Sequence, residues 1–512
     1  MRKTILLAAC LPACFAPPVE SPMTTVIQET DVTVQQNAKN KVDILFMVDN
    51  SISMDPMQVQ LRAHFGDFFK VFEDLAAAGT YADLHIGVVT SDYGAGDAPD
   101  ANCDASPGGQ RGFLQTMPSA KASNPPANCA PPKGAPYIAY AFSPAGGTPV
   151  TNLPSGTDAA ALVDQFTCMA SVGASGCGFE HQLESVYAAL HNTKENAGFL
   201  RSDAFLTVVF VTNEDDGSAA PNAKFYESDM MYGQYTTYRQ TRYAVYCGGA
   251  QIPYGMPEGP LSGCEAAPNP MMDVGTAYDI SRYTDYFNKP MSKGGVKVDP
   301  NDVILVGIDG PETPFQTILA DSSKGNTPYQ PCPAPMLSSG CIEALQHSCE
   351  NSAQPEFFAD PPVRLNAVIN ASTKHSISSI CGEDLTRPPD FTSALQQVGQ
   401  LIKTVLGIAC LSSPITDPGS PDCEVEDRSD ADNHVVDTVP SCVASKNAQP
   451  CWEYAENDKC PKVVNPVNHT VTQGSISVLR DPSMIPMGTH LFVACATIAH
   501  TSGGSPSPTP SP

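Results

Sequence analysis

DILFMVDNSISM, residues 43–54, joins a run of apolar side chains to a turn rich in oxygen donors. The run predicts a strand buried on both faces, as in a parallel sheet covered by helices. At its end Asp49, Ser51 and Ser53 stand at i, i+2 and i+4. One carboxylate and two hydroxyls on the turn leaving such a strand can converge where an octahedral divalent ion would sit. The same residues also suit plain capping of a following helix.

Further apolar runs follow at spacings that predict strands alternating with helices: LHIGVVTSD (84–92), AFLTVVFVTN (204–213), DVILVGID (302–309) and RLNAVINA (364–371). Between them, residues 54–79 place Met57, Leu61, Phe65, Phe68, Phe69 and Phe72 at helical intervals. Residues 157–172 open on Thr157 and Asp158, natural caps, and residues 391–407 are capped by Asp390 or Thr392. A helix is also expected over 179–196. The fold class is therefore α/β, a doubly wound, mostly parallel sheet. Long Cys- and Pro-rich insertions, 93–156, 217–300 and 310–363, interrupt it.

Formal charge is 28 − 54 = −26 over 512 residues, which disfavours nucleic acid and anionic lipid surfaces as partners. The start MRKTILLAACLPAC is a basic and short apolar targeting segment, too short to span a bilayer. LAAC and LPAC both resemble the bacterial lipobox. Segment length favours Cys14 as the lipidated residue, with Cys10 as the alternative; a plain cleaved signal would give a secreted protein. Sixteen other cysteines, with no CxxC pair, imply disulfides in an oxidising compartment rather than zinc. Cys103/Cys129, Cys168/Cys177 and Cys247/Cys264 are close enough to bridge locally, and Cys381 could join Cys332, Cys341 and Cys349, although spacing does not determine connectivity.

The expected organisation is a signal at 1–14, a tether at 15–41, the α/β domain with its insertions at 42–410, and a linker at 411–422. A small, disulfide-rich, mostly β module at 423–499 and a low-complexity tail at 500–512 complete the chain. The acidic stretch 424–437 lacks the glycine and terminal glutamate of an EF-hand loop and reads as a solvated loop.

The DxSxS pattern of Asp49, Ser51 and Ser53 resembles the metal-ion-dependent adhesion site of von Willebrand factor A domains. VDNSISM, GVVTSD (87–92), GCGFE (176–180) and the acidic loop TNEDD (212–216) extend the resemblance over residues 42–408, toward lipid-anchored A-domain proteins of Gram-negative bacteria. The resemblance implies an ion, Mg²⁺ or else Mn²⁺ or Ca²⁺, held by three loops at the carboxyl ends of the strands. It also implies a protein ligand engaged through an acidic residue, and an extracytoplasmic, surface-anchored binding or adhesion protein whose only membrane contact is its lipid, in the outer membrane. Two positions depart from the pattern. Asn213 stands where an aspartate is usual, with Glu214, Asp215 and Asp216 following, and the middle loop 173–186 offers Ser175 or Glu180 instead of a threonine. The alternative is a structural envelope protein with a degenerate, metal-independent site. Asp92 and Asp309 read as turn residues. No GxSxG, HExxH, GxxxxGK[ST] or GxGxxG motif occurs, so a non-enzymatic role is expected.

Overall fold

The computed structural model describes residues 27–34 and 40–498, apart from 78–79, 97–108, 144–146, 224–225, 227–233, 235–237, 253–258, 268–276, 325–329, 333–339, 407–408, 412–413, 416, 430–433, 457–462, 465–470, 473, 481–485 and 487–488. The expected signal with Cys10 and Cys14, the tail 500–512 and Cys103 lie outside them. The chain forms two units, one of residues 36–407 and one combining residues 1–35 with 408–512.

In the first unit, seven strands make one mixed sheet: β1 (Lys41–Val48), β2 (Asp83–Thr90), β3 (Ile138–Ala141), β4 (Val150–Thr151), β5 (Phe205–Val211), β6 (Val303–Asp309) and β7 (His375–Ser379). Their order is β7-β6-β5-β1-β2-β3-β4. The four pairings from β7 through β2 are parallel, whereas β3 and β4 join antiparallel. The insertion after β2 therefore extends the sheet and is not only a surface shell.

Helices cover both faces, as the apolar strands require. Phe46 of β1 meets Phe65 and Phe68 of α1 (Asp55–Ala77) and Phe166 of α2 (Ala159–Met169) at centroid distances of 5.9, 5.8 and 4.9 Å. Its neighbours Leu45 and Met47 point the other way, into a core with α3 (Gln182–His191), α5 (Ser281–Asn288) and α6 (Val363–Asn370). The described residues also include the short α4 (Tyr238–Ala244) and the longer α7 (Thr392–Val405), at whose start Asp390 Oδ1 accepts from Thr392 N at 2.8 Å. Asp158 caps α2, accepting from Ala161 N at 2.9 Å.

The expected strand RLNAVINA is instead α6. Leu365, Val368 and Ile369 face the core at i, i+3 and i+4, and the preceding Pro361 and Pro362 break any continuous strand. The strand that pairs with β6 on its outer side is β7.

Disulfides join Cys129–Cys168, Cys247–Cys264, Cys332–Cys341 and Cys349–Cys381. Cys168 thus does not bridge to Cys177, nor Cys129 to Cys103; Cys177 is itself disulfide-bonded. No described helix is long and apolar enough to cross a membrane.

The second unit is mostly β. Strands Ile27–Val34, Thr489–Ile498, Cys423–Ser429 and Val435–Thr438 form one antiparallel sheet, and Ala409–Cys410, Gly474–Leu479 and Cys451–Glu456 another. Residues 27–34, within the stretch read as a tether, are therefore an integral strand. The acidic stretch read as a solvated loop supplies two paired strands. Its Asp427 is fully buried and held by Arg480 at 2.6 and 2.7 Å. Trp452, Val425, Ile476 and Val493 anchor the core, and Cys423–Cys495 and Cys442–Cys451 staple it.

Candidate functional site

β1 and β5 are neighbours, yet the chain leaves β1 toward β2 on one side and returns to β5 on the other. Loops diverge at such a reversal, and the crevice outside the carboxyl ends of the strands is where open α/β sheets bind ligands. Asp49 ends β1 at this seam, and its N–H donates to Val211 O of β5 at 2.9 Å.

The Asp49 carboxylate is fully buried and fixed from three turns. Oδ1 accepts from Ser51 N at 2.8 Å and Ser91 Oγ at 2.9 Å, and Oδ2 accepts from Thr212 Oγ1 at 2.7 Å. Ser51 Oγ lies 3.3 Å from Ser53 Oγ, which donates to Asn213 Oδ1 at 3.1 Å. Four expected residues, Asp49, Ser51, Ser53 and Asn213, are thus gathered at one rim. Ile52 stands between the two serines with 83% of its surface exposed, so the rim opens to solvent.

Glu180 lies behind this rim, fully buried. Gln240 Nε2 donates to its Oε2 at 2.9 Å, and the Glu180 and Glu214 carboxyls hydrogen-bond to each other. Burial first, then the neighbouring carboxyls of Glu214 and Asp49, hold the Glu180 carboxyl well above the usual range. Glu214 is raised for the same reason, with Asp360 and Asp49 adding repulsion. Burial also raises Asp49. Acidic groups crowd here, and the one described imidazole among them, His347, pairs with Asp360 at 2.7 Å.

Asp215 does not join the group. Its Oδ1 accepts from Arg364 N and Leu365 N at 3.0 Å each, so it holds the N-terminus of α6, and burial pushes it to about 7. Asp216 accepts from Leu183 N of α3 at 2.9 Å and pairs with buried Arg364 at 3.1 Å. Ser175 is half-buried beside Gly176, whose N–H donates to Asn50 O at 2.8 Å, and no hydrogen bond joins its hydroxyl to the rim residues. Asp92 and Asp309 end their strands on the same edge, where Asp92 accepts from Gly94 N at 3.0 Å in a local turn.

Reading of the chain alone missed Ser91 and Thr212, which orient Asp49, and the glutamines that brace the loops. Gln58 Nε2 donates to Asp49 O at 3.0 Å and Gly173 O at 2.7 Å; Gln182 Nε2 donates to Thr212 Oγ1 at 3.0 Å. A hydroxyl residue directly after β2 and after β5, Ser91 and Thr212, was the available signal.

Among the described residues, no group of three or more His, Cys, Asp or Glu is arranged to hold a metal. The donors gathered at the rim are instead one carboxylate, two hydroxyls and one amide oxygen, all hard ligands of the kind Mg²⁺ and Ca²⁺ take. The excess of buried acid beside these hard donors fits a cation, so the donor set suits the group.

No family model matches this chain, and no curated protein matches it. Solved structures similar to it include the adhesive tip pilin of Group B Streptococcus agalactiae, at 10% identity over 94% of this chain and 83% of that one, TM-score 0.29. A von Willebrand factor type A structure from Catenulispora acidiphila shares 9% identity over 94% and 67%, TM-score 0.25. A pilus adhesin of Lactobacillus rhamnosus GG in its open conformation shares 11% over 95% and 43%, TM-score 0.29. Scores this low carry no argument about what this chain does.

Proposed function

We propose that the first unit is a binding module that engages a protein partner through a divalent cation at the rim, within an extracytoplasmic adhesion protein. The observation that supports this most is the approach of Ser51, Ser53 and Asn213 oxygens at the sheet's reversal point, with Asp49 fixed beneath them. Asp49, Ser51, Ser53 and Asn213 would hold the ion, Mg²⁺ or else Mn²⁺ or Ca²⁺, with Glu180 behind them. The bound ion would act as a bridge to a carboxylate of the partner. Exposed Ile52 would give that partner an apolar contact beside it. The disulfides fit an oxidising compartment, and lipid anchoring through Cys14 or Cys10 in an outer membrane is part of the same proposal.

Calorimetric titration of the full chain with Mg²⁺ and Mn²⁺ tests it, with Ser53→Ala as the comparison. Ser53 is only partly buried, so its loss leaves the fold intact. Saturable heat in the wild type that weakens in the variant supports the reading; silence in both sinks it.

A second reading has its own support: Asn213 brings no charge, and the Asp49 oxygens already accept three hydrogen bonds. In that case the same rim makes metal-independent contacts in the envelope, and partner capture by the full chain would be indifferent to chelator.

A further inference from the structure

The central sheet ends differently on its two sides. β4, at one edge, is only Val150–Thr151, with Pro149 before it and Pro154 after it, so it offers little backbone to pair with. β7, at the other edge, runs from His375 to Ser379 with no proline, lysine or acid to blunt it. Among the described residues no strand pairs with its outer side.

The ladder decides which groups that side shows. Leu305 N donates to Lys374 O at 3.0 Å, and Ile380 N donates to Asp309 O at 2.8 Å. With Leu305 opposite His375 and Asp309 opposite Ser379 in parallel register, the even-numbered residues of β7 bond to β6. His375, Ile377 and Ser379 therefore turn their N–H groups outward. The carbonyls of His375 and Ile377 follow, whereas that of Ser379 accepts from Gly382 N at 3.2 Å. Helices α6 and α7 pack against the strand but leave His375 exposed and the rest half-buried.

A groove of about 190 Å³ lies between this edge and the start of α7, with Ser378, Ser379, Glu383, Asp390, Ser393 and Gln397 in its lining. Pockets for drug-sized ligands hold roughly 300–1,000 Å³, so this one suits a single long side chain. Its charge has one sign: Glu383 is exposed, the Asp390 side chain is 65% exposed, and no lysine or arginine belongs to the lining. His64 of α1 is 3.5 Å from Asp390. Ser393 Oγ donates to Glu383, and Thr392 N donates to Asp390 at 2.8 Å, which fixes both acids at the first turn of α7. A carboxylate has about four acceptor sites, so each keeps room for a further donor.

We propose that the outer edge of β7 takes up an extended segment of a partner protein as an added strand, with one lysine or arginine of that segment seated between Glu383 and Asp390. Main-chain hydrogen bonds to His375, Ile377 and Ser379 supply the affinity, and the groove selects the cationic side chain. The surface lies along the side of the sheet, apart from the cation rim at the strand ends, and needs no metal.

The test follows the full chain, with chelator present throughout, by anisotropy of a short labelled peptide of alternating threonine and valine with a central lysine. One comparison peptide carries glutamate in place of lysine, and another is N-methylated at neighbouring residues so that neither of its edges can pair. The expected result is saturable binding of the lysine peptide, at least about ten-fold tighter than either comparison, with slower amide exchange over residues 375–379 in the complex. Ile377→Pro removes an outward N–H and no bond to β6, so it should weaken the lysine peptide to a similar degree. Melting curves establish that this variant is folded, and the N-methylated peptide probes the same pairing whatever the variant does to stability. Glu383→Gln combined with Asp390→Asn, which keeps a capping side chain before α7, should bring the lysine and glutamate peptides to similar affinity. No saturable binding of the lysine peptide, equal affinity for the N-methylated or the glutamate peptide, unchanged exchange over 375–379, or a lysine preference that survives loss of both acids would each overturn the proposal. Because chelator is present, failure here leaves the cation reading untouched.

Discussion

The hydroxyl of Thr212 donates to Asp49 Oδ2 at 2.7 Å, across the seam where the sheet reverses its strand order. One hydrogen bond thereby couples the turn after β1 to the turn after β5, and the orientation of Asp49 depends on a residue 163 positions away.

Thr212→Val keeps the shape of the side chain but leaves Asp49 Oδ2 and Gln182 Nε2 short of a partner. A buried polar atom stripped of its hydrogen bond costs about 1–3 kcal/mol. Denaturant unfolding of the variant should show a loss in that range, together with weaker cation binding if Asp49 supports the rim. An unchanged midpoint would mean that the seam tolerates a loose carboxylate.

Asn213 offers an oxygen without a charge, and its approach to Ser53 at 3.1 Å puts it where a charge would act on the rim. Asn213→Asp should tighten Mg²⁺ by about ten-fold, since hard-cation sites are tuned by ligand charge count. In chelator the same variant should melt lower than wild type, because it adds a carboxylate next to Asp49 and Glu214. Calorimetry and paired melting curves with and without Mg²⁺ would read both effects; a variant blind to Mg²⁺ in each would remove the ion from the mechanism.

Asp309 ends β6 fully buried, with neither carboxyl oxygen in hydrogen-bonding geometry although Asn366 lies beside it. Burial, then Asp215 and Glu312, raise its pKa well above the ordinary 3.8. The folded state therefore holds a proton that the unfolded chain has released above about pH 4. By linkage, its contribution is fully present below the unfolded pKa and declines as pH rises toward the folded value. Asp309→Asn, which cannot ionise, should flatten this decline, so the variant gains on wild type as pH goes from 5 to about 8. Parallel pH-dependent slopes for the two proteins would contradict the assignment.

Much of this architecture was legible because parallel strands buried on both faces read as near-continuous apolar runs, as β1, β2, β5 and β6 do. The failures have physical causes. β7 carries only Ile377 as a large apolar residue, as an edge strand can, so the more apolar α6 took its place in the reading. Asp49, Ser51, Ser53 and Asn213 were visible as oxygen donors just after strands. The commitment of Asp215 to Arg364 and Leu365 was not, since it depends on a helix 149 and 150 residues further on. Residues 27–34 looked unstructured because their partner strand lies at the opposite end of the chain.

That distant pairing makes the second unit dependent on its staples. Its core is small, and Cys423–Cys495 joins two adjacent strands across 72 residues of chain. Such a bridge stabilises chiefly by restricting the unfolded chain, typically by about 2–4 kcal/mol. The chain's single tryptophan, Trp452, is buried in this unit, so its fluorescence reports on this unit alone. Replacing both cysteines by alanine should move the fluorescence transition to lower denaturant by an amount in that range. Circular dichroism of the helices, all of which belong to residues 55–405 among those described, should keep its midpoint. A fluorescence midpoint that stays put would show that the two sheets hold without the bridge, and that the strand at 27–34 contributes more than its eight residues suggest.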